Sequence, residues 1–554
     1  MTRIRAHSIL IAIAMCSPTL ADGYSNYESF RQQIDDLAQN ENIKAKSLAK
    51  TLGERDIIAL TIARGDHDKK PGFLILGNTH APHIIGSELA MRLASELAKD
   101  QELLKRFTFY VIPRPSPDAT ETYFSKPSIE RNTNERKTDD DGDGEFDEDG
   151  PDDLNGDGFI TMMRIVDPSG EYMEHPDDPR VLIKADPKKD EQGKFRLIPE
   201  GRDNDLDDQF DEDAAGGVAF NNNFTYAYPY YKPGAGPHQV SETESRAVAD
   251  FAFDHPNIAA VFSFGIEDNL MHQWKPLGDK ANPKGGVQGP DAPYFDFIRR
   301  KYQKIHGGKN APPSPPIKGS FHQWAYMHFG RWAFSARAWW PPKVNPKKPK
   351  ENGEKKEEKK EEKKDEKKPA NEKRGADTIN LLRWFESEKI DGFVKWTKVD
   401  HPDFPDQEVE VGGIKPFVAL NPPAVQINDL AKKHHEFLIA LTTMMPIVKI
   451  DRVKVDALGG NVFRVTVKVA NNGYLPTSSK MGEVSRKTHP LQIKLDLPKD
   501  AKLIKGHGRT TLKPIAGRGG KAEYIWLLRT SAKQLTVNVS SPSVGSDTTQ
   551  VNLP

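Results

Sequence analysis

The sequence predicts an α/β domain followed by a C-terminal β-sandwich, and three observations carry that prediction. Residues 73–76 form an apolar run of buried-strand type, Gly77 interrupts it, and Leu89, Leu93 and Leu97 then recur at helical spacing. After Pro446 the period changes to two, with Phe463, Val465, Val467 and Val469 alternating with Arg464, Thr466 and Lys468, and with Leu535, Val537 and Val539 repeating the pattern. The length, 554 residues at 36% hydrophobic, is ample for one large core and a second smaller one.

Taken from the start, Arg3 and Arg5 precede an apolar run over residues 9–16, and Thr19-Leu20-Ala21 offers small residues for cleavage before Asp22. Residues 1–21 are therefore expected to be a signal peptide, too short to span a bilayer, and the protein is expected to be exported to the periplasm, the cell surface or the medium. Cys16, the only cysteine, lies in that segment, so the mature chain would form no disulfide and use no thiolate. With 79 basic and 80 acidic residues the net charge is −1, which gives no signal for nucleic acid or an anionic membrane surface.

Residues 27–37 read as a helix and 57–62 as a strand, expected to pair beside the strand that leads to His80. His80 and His83 sit in the loop after residue 76, at the carboxyl end of a strand, where open α/β sheets place their ligands. Polar, acidic insertions then occupy about residues 131–215. Asp139, Asp141, Asp143 and Asp147, with Asp153, Asn155 and Asp157 before Gly158, alternate carboxylates with a turn-permitting glycine in the way that wraps a hard cation. Arg164 stands where an EF-hand has its bidentate glutamate, so calcium is expected as a shared cluster between acidic loops; a solvated acidic surface is the alternative.

Ser241-Glu242-Thr243-Glu244 reads as a capping box ahead of the helical face Ala247, Val248, Phe251 and Ala252. The strand that follows is expected to deliver Gly265 and Glu267 on one side, because side chains alternate along a strand. Residues 344–377 hold a run of lysine and glutamate blocks with nothing apolar to bury, expected to be a solvated insertion. The core resumes at Leu381 and closes with a helix over 430–444, which sets the expected domains at 22–445 and 446–554.

Five segments in order resemble the zinc carboxypeptidase family. Gly77-Asn78-Thr79-His80 with His83 resembles the metal motif His-x-x-Glu, with histidine in place of the glutamate. Pro115-Ser116-Pro117-Asp118-Ala119 resembles Asn-Pro-Asp-Gly. Gly217-Val218-Ala219-Phe220-Asn221-Asn222-Asn223-Phe224 resembles Gly-Val-Asp-Leu-Asn-Arg-Asn-Phe, with Asn221 retained and Asn222 in place of the carboxylate-binding arginine. Gly265 falls where the last zinc histidine is expected, and Arg337, ending Ala333-Phe334-Ser335-Ala336-Arg337, falls at the catalytic glutamate. The resemblance covers roughly residues 24–445 and implies a mixed-sheet α/β/α carboxypeptidase-like sandwich, zinc chemistry and a peptide substrate.

Two readings of the altered site follow. In one, zinc is held by His80, His83 and Glu267, a two-histidine, one-carboxylate set in permuted positions. In the other, Arg337 pairs with Glu267 and the histidines only line the pocket. At about 5 Å and an effective dielectric of about 20, a divalent ion and a guanidinium repel by roughly 6 to 7 kcal/mol, which favours the second reading. Arg337 also stays protonated, so it cannot take a proton from water as the base of a zinc peptidase does. His322 is a substitute base in one reading and a structural histidine beside Trp324 in the preferred one. The function expected is therefore an exported, non-catalytic peptide or protein binder with a degraded zinc site; the alternatives are an active zinc metallocarboxypeptidase with reassigned ligands and a structural surface protein.

Overall fold

The computed structural model describes residues 23–139, 144–147, 149–204, 216–274, 286–344 and 374–554. The expected signal peptide, Asp141, Asp143 and nearly all of the charged insertion lie outside these residues.

The strands before residue 415, in chain order, are β1 (Ile43–Lys50), β2 (Asp56–Ile62), β3 (Gly72–Leu76), β4 (Thr108–Ile112), β5 (Met162–Val166), β6 (Tyr172–His175), β7 (Asp178–Lys184), β8 (Phe195–Pro199), β9 (Ile258–Phe264), β10 (Trp332–Ala336), β11 (Phe393–Val399) and β12 (Val409–Ile414). The central sheet runs β1-β2-β4-β3-β9-β10. It is mixed: β3 pairs in parallel with β4 and β9, and β9 with β10, while β1, β2 and β4 join antiparallel. Every residue of β3, β4, β9 and β10 is buried, as continuous apolar strands must be when helices cover both faces. The strand after residue 56 therefore does not lie beside the strand leading to His80. β4 separates them, which a parallel crossover through the helix Ile85–Leu97 makes natural.

The helix Tyr27–Leu37 forms as the pattern predicts, capped by Asn26, whose side chain accepts from the Ser29 N–H. The helix Thr243–Asp254 forms too, without the expected box: Glu242 is its N-cap and makes no capping bond, and Ser241 Oγ instead donates to Glu242 Oε1 at 2.6 Å.

The acidic insertion is more than loop. β5 to β8 pair with β11 and β12 in a second six-stranded sheet, ordered β11-β12-β5-β8-β6-β7, over a small apolar cluster of Met163, Ile165, Val409 and Val411. Strands from two segments about 200 residues apart complete each other, so neither segment alone shows a buried face.

The C-terminal strands are β13 (Val448–Ala457), β14 (Val462–Asn471), β15 (Gln492–Asp496), β16 (Lys502–Lys505), β17 (Arg509–Thr511), β18 (Gly520–Arg529), β19 (Gln534–Ser541) and β20 (Gly545–Asn552). They form two four-stranded antiparallel sheets, β13-β14-β18-β16 and β17-β15-β19-β20. Val465, Val467, Ile493, Trp526, Leu528, Val537 and Val539 fill the space between as a core separate from that of the larger domain. This is the inward alternation of a β-sandwich.

Candidate functional site

The carboxyl ends of β3, β9 and β10 converge on one place, and the sequence explains why. Gly77 ends β3 where the chain presses on its neighbour: a Cβ there would stand 1.9 Å from the Pro113 carbonyl oxygen. The following loop is pinned at four points. Thr79 N–H donates to Phe264 O (2.8 Å), Ala81 N–H to Asn132 Oδ1 (2.9 Å), and Asn78 Nδ2 to Ala81 O (2.8 Å). Asn421 grips from outside, donating to Pro82 O (2.8 Å) and accepting from the Ile85 N–H (3.0 Å).

Held this way, His83 is fully buried, and neither ring nitrogen makes a well-formed hydrogen bond; a backbone contact with Arg337 acts to raise its pKa but does not offset burial. Burial and the nearby Arg337 charge pull its pKa down to about 3, and the same causes pull the partly exposed His80 to about 4, with Glu267 acting to raise it. Both imidazoles are neutral at pH 7.

β9 stops at Phe264, so strand alternation does not carry on to Glu267. Glu267 sits in the turn that follows, 3% exposed, and its carboxylate is fully engaged. Asn221 Nδ2 donates to Oε2 at 3.1 Å, His322 Nδ1 lies 3.0 Å from Oε2, and Gln323 Nε2 donates to Oε1 at 3.0 Å. Asn221 is fixed in turn, accepting from the Phe321 N–H at 2.9 Å. Asn222, by contrast, is partly exposed at the rim.

Arg337 does not pair with Glu267. Its side chain donates to the Ile266 carbonyl from Nε (3.4 Å) and Nη2 (3.2 Å), and no carboxylate of the described residues lies within ion-pair distance. Asp268, the carboxylate whose charge acts on Arg337, is committed elsewhere: Oδ1 accepts from the Leu270 and Met271 N–H groups (2.8 and 2.6 Å) and Oδ2 from the Arg337 backbone N–H (3.1 Å). Burial lowers the Arg337 pKa and the Asp268 charge opposes that. A guanidinium nonetheless keeps its proton.

His322 is not the histidine beside Trp324 that the sequence suggested. Its ring lies 5.0 Å from that of Trp274, tilted by 38°, and its Nδ1 faces Glu267. Gln323 and His322 enter the site from the helix Phe321–Met327, and only His322 had been singled out in the sequence. The helical spacing of 321–327 gave no sign that adjacent polar residues there would share one buried carboxylate.

A zinc ion does not fit this set. Among the described residues no three or more His, Cys, Asp or Glu side chains stand close enough to hold a metal. Glu267 is spent on three donors, and Gly265 offers no donor atom. A side chain cannot be supplied at Gly265 as the chain stands, because a Cβ would fall 2.3 Å from Thr79 Oγ1. Arg337 adds a fixed positive charge beside both histidines.

The acidic loops likewise satisfy themselves. Asp153 accepts from the N–H groups of Asp157 (3.1 Å) and Gly158 (2.8 Å), Asn155 Oδ1 from that of Asp157 (2.9 Å), and Asp157 Oδ1 from that of Phe159 (2.9 Å). Asp147 accepts from the Gly216 N–H at 3.0 Å. Of the expected calcium set, Asp139, Asp147, Asp153, Asn155 and Asp157 are described and do not meet as a metal cluster. Such loops turn their carboxylates onto local N–H groups, which relieves the charge crowding that had argued for a counter-ion.

A mixed sheet with a histidine-bearing loop at the end of β3 is consistent with a protein of the carboxypeptidase type. The zinc carboxypeptidase sequence profile matches residues 30–339, and the chain belongs to that family. Residues 447–552 match a domain family of unknown function. No curated protein matches the chain. Among solved structures it is similar to carboxypeptidase A from Helicoverpa armigera (13% identity over 58% of this chain and 66% of that one, TM-score 0.36). It is also similar to a metallo-carboxypeptidase from Burkholderia cenocepacia (13% identity, 56% and 58% covered, TM-score 0.28). The chain thus spans just under two thirds of the insect enzyme's length, and the family membership rests on the sequence profile. Among the described residues no helix is long and apolar enough to cross a membrane.

Proposed function

We propose that the protein is an exported, non-catalytic binder of peptides or protein segments, and that Arg337 meets a carboxylate of the ligand at the carboxyl end of the sheet. One observation carries the reading. The guanidinium touches only a neutral carbonyl, while the acidic side chains of the turn after β9, Glu267 and Asp268, are each tied to other donors. A partly exposed cation left without a carboxylate is a recognition point for one, and Arg supplies the planar, two-pronged donor that a carboxylate matches. His80 stands neutral beside it, able to donate a hydrogen bond without adding charge. Hydrolysis by the family's route would need a carboxylate base where Arg337 is.

Calorimetric titration with peptides of free and amidated C-termini, and with acidic and neutral side chains, tests the reading. Arg337→Met should weaken carboxylate-bearing peptides by about 10- to 100-fold, the worth of a charge-assisted hydrogen bond at about 1.5–3 kcal/mol, and leave amidated neutral peptides unchanged. Peptide cleavage by the unmodified protein with one bound zinc, abolished by His83→Ala or Glu267→Ala, would establish the enzyme reading instead.

A further inference from the structure

The seam between the two domains holds a second cation with no counter-charge. Arg331, at the start of β10, is 3% exposed. Its guanidinium donates to three backbone carbonyls: Nε to Ile258 O (2.6 Å), and Nη1 to Phe329 O (3.0 Å) and Lys487 O (3.0 Å). The Phe329 ring lies 4.3 Å from the guanidinium carbon. No carboxylate among the described residues comes within ion-pair distance, and burial alone lowers its pKa, to about 10. Carbonyl dipoles and a ring face solvate the charge without neutralising it, and a buried ion held only that way is costly.

Beside Arg331 lies a cavity of about 20 Å³, half open to solvent. Arg331 lines it together with Thr477, Ser478, Ser479, Thr488 and Ser543 of the C-terminal domain, five hydroxyl-bearing residues. Ser479 Oγ is used up, donating to Gly330 O (3.2 Å) and accepting from the Gly482 N–H (2.9 Å), and Thr477 Oγ1 accepts from the Ile515 N–H (2.9 Å). Ser478 Oγ donates to Ser479 O (3.1 Å) and so accepts from Thr488 Oγ1 (3.0 Å), which leaves the hydroxyl protons of Thr477 and Ser543 for a guest. The volume slightly exceeds the roughly 10–15 Å³ that one water needs, which is room for one small ion.

We infer that this cavity is a binding site for a small monovalent anion of the halide class, which neutralises Arg331 and bridges the two domains through the seam hydroxyls. The site is independent of the cleft at Arg337. Its ligand is chosen by size and charge: one negative charge answers one guanidinium, and hydroxyl donors complete the shell of an ion that has no preferred direction.

The test uses the full-length chain. Unfolding is followed by denaturant at constant ionic strength, with chloride replaced stepwise by isethionate, which is too large for the cavity. The expected result is a saturable dependence on chloride that bromide reproduces and sulfate does not, with the folded state favoured about 11-fold at ten times the dissociation constant. Crystals soaked in bromide should show an anomalous peak in the cavity beside the Arg331 guanidinium. Arg331→Gln should abolish both effects. Should that variant not fold, Ser543→Val together with Thr477→Val, which leave the guanidinium in place, should weaken the halide dependence at least several-fold. Identical unfolding in chloride and isethionate, or bromide-soaked crystals with no peak beside Arg331, would overturn the inference and leave the cavity to water.

Discussion

Replacing His83 by leucine should make the protein more stable, and increasingly so in acid. The imidazole is fully buried without a well-formed hydrogen bond at either ring nitrogen, its one polar approach being to the Arg337 backbone, although the fold places it in a loop held by Asn78, Asn132 and Asn421. Leaving buried polar atoms unpaired costs about 1–3 kcal/mol, and leucine removes them at similar volume, so a gain of that size is expected at pH 7. The pH dependence adds a second, separable effect. Folding depresses the His83 pKa from 6.5 to about 3, so the folded state binds fewer protons than the unfolded one in that interval. The stability associated with the neutral ring is present above pH 6.5 and lost as pH falls towards 3. At pH 5 the loss is 1.5 pH units, about 2 kcal/mol for a fully buried group, and the variant escapes it. Its advantage should therefore grow by about that amount between pH 7 and 5. His80 (about 4) and His434 (about 3) still give both proteins an acid limb, while Glu244, raised by burial to about 7, works in the opposite sense, favouring the folded state as pH falls from 7 to 4.5. These shared groups largely cancel in the difference. Denaturant unfolding at the two pH values measures it. A variant less stable than the parent at pH 7, with a gap that does not widen at pH 5, would refute the account of His83 as an unpaired neutral imidazole.

Two further outcomes follow from the geometry. Rebuilding the family's zinc centre with His83→Glu, Gly265→His and Arg337→Glu should fail to give stoichiometric zinc until Thr79→Ala is added, because Thr79 Oγ1 occupies the space of any side chain at 265; equilibrium dialysis of the triple and quadruple variants decides this. Glu200 anchors the acidic loop, accepting from the N–H groups of Leu154 (2.9 Å) and Thr161 (2.8 Å) and from Thr161 Oγ1 (2.9 Å), so Glu200→Ala should cost about 2–4 kcal/mol and speed hydrogen exchange at Leu154 and Thr161 before it affects β3.

Much of this was legible from the chain because it depended on local periodicity. The strand over Phe73 to Leu76, the leucines of the next helix and the alternating valines of β14 each declare their buried face within ten residues. The second sheet was not legible. β5 and β12 have four buried apolar residues between them, and the alternation of each makes sense only when Met163 meets Val411 across the pair. Glu267 failed for a related reason. Its position was extrapolated by strand parity, but β9 ends three residues earlier and the turn after it obeys no period. Which donors would close on that carboxylate depended on a helix more than 50 residues downstream, so Arg337, at the end of the expected strand 333–337, looked the better partner by charge alone. Charge was the wrong criterion. Three donors, Asn221, His322 and Gln323, already satisfy the buried carboxylate, which leaves little for a guanidinium to gain by displacing them.

The replaced positions make physical sense only as a set. In the family's pattern a zinc ion of charge +2 is balanced by the glutamate of His-x-x-Glu and by the glutamate base, giving a centre with no net charge. Here His83 removes one carboxylate and Arg337 the other while bringing a positive charge, and Glu267, standing in the turn after β9, brings a negative one. With His80 and His83 neutral, the Arg337 charge faces that of Asp268 as well as that of Glu267, so the place carries its acidic charge without any metal. Any one change alone would have left an imbalance: arginine beside zinc would repel it, and losing the last histidine to Gly265 with both glutamates kept would crowd two carboxylates around a weakly held ion. The asparagine that the family pattern retains, Asn221, spends its amide on Glu267 and its carbonyl on the Phe321 N–H. It thereby supports a buried carboxylate, while the Arg337 guanidinium has no carboxylate of the described residues within ion-pair distance.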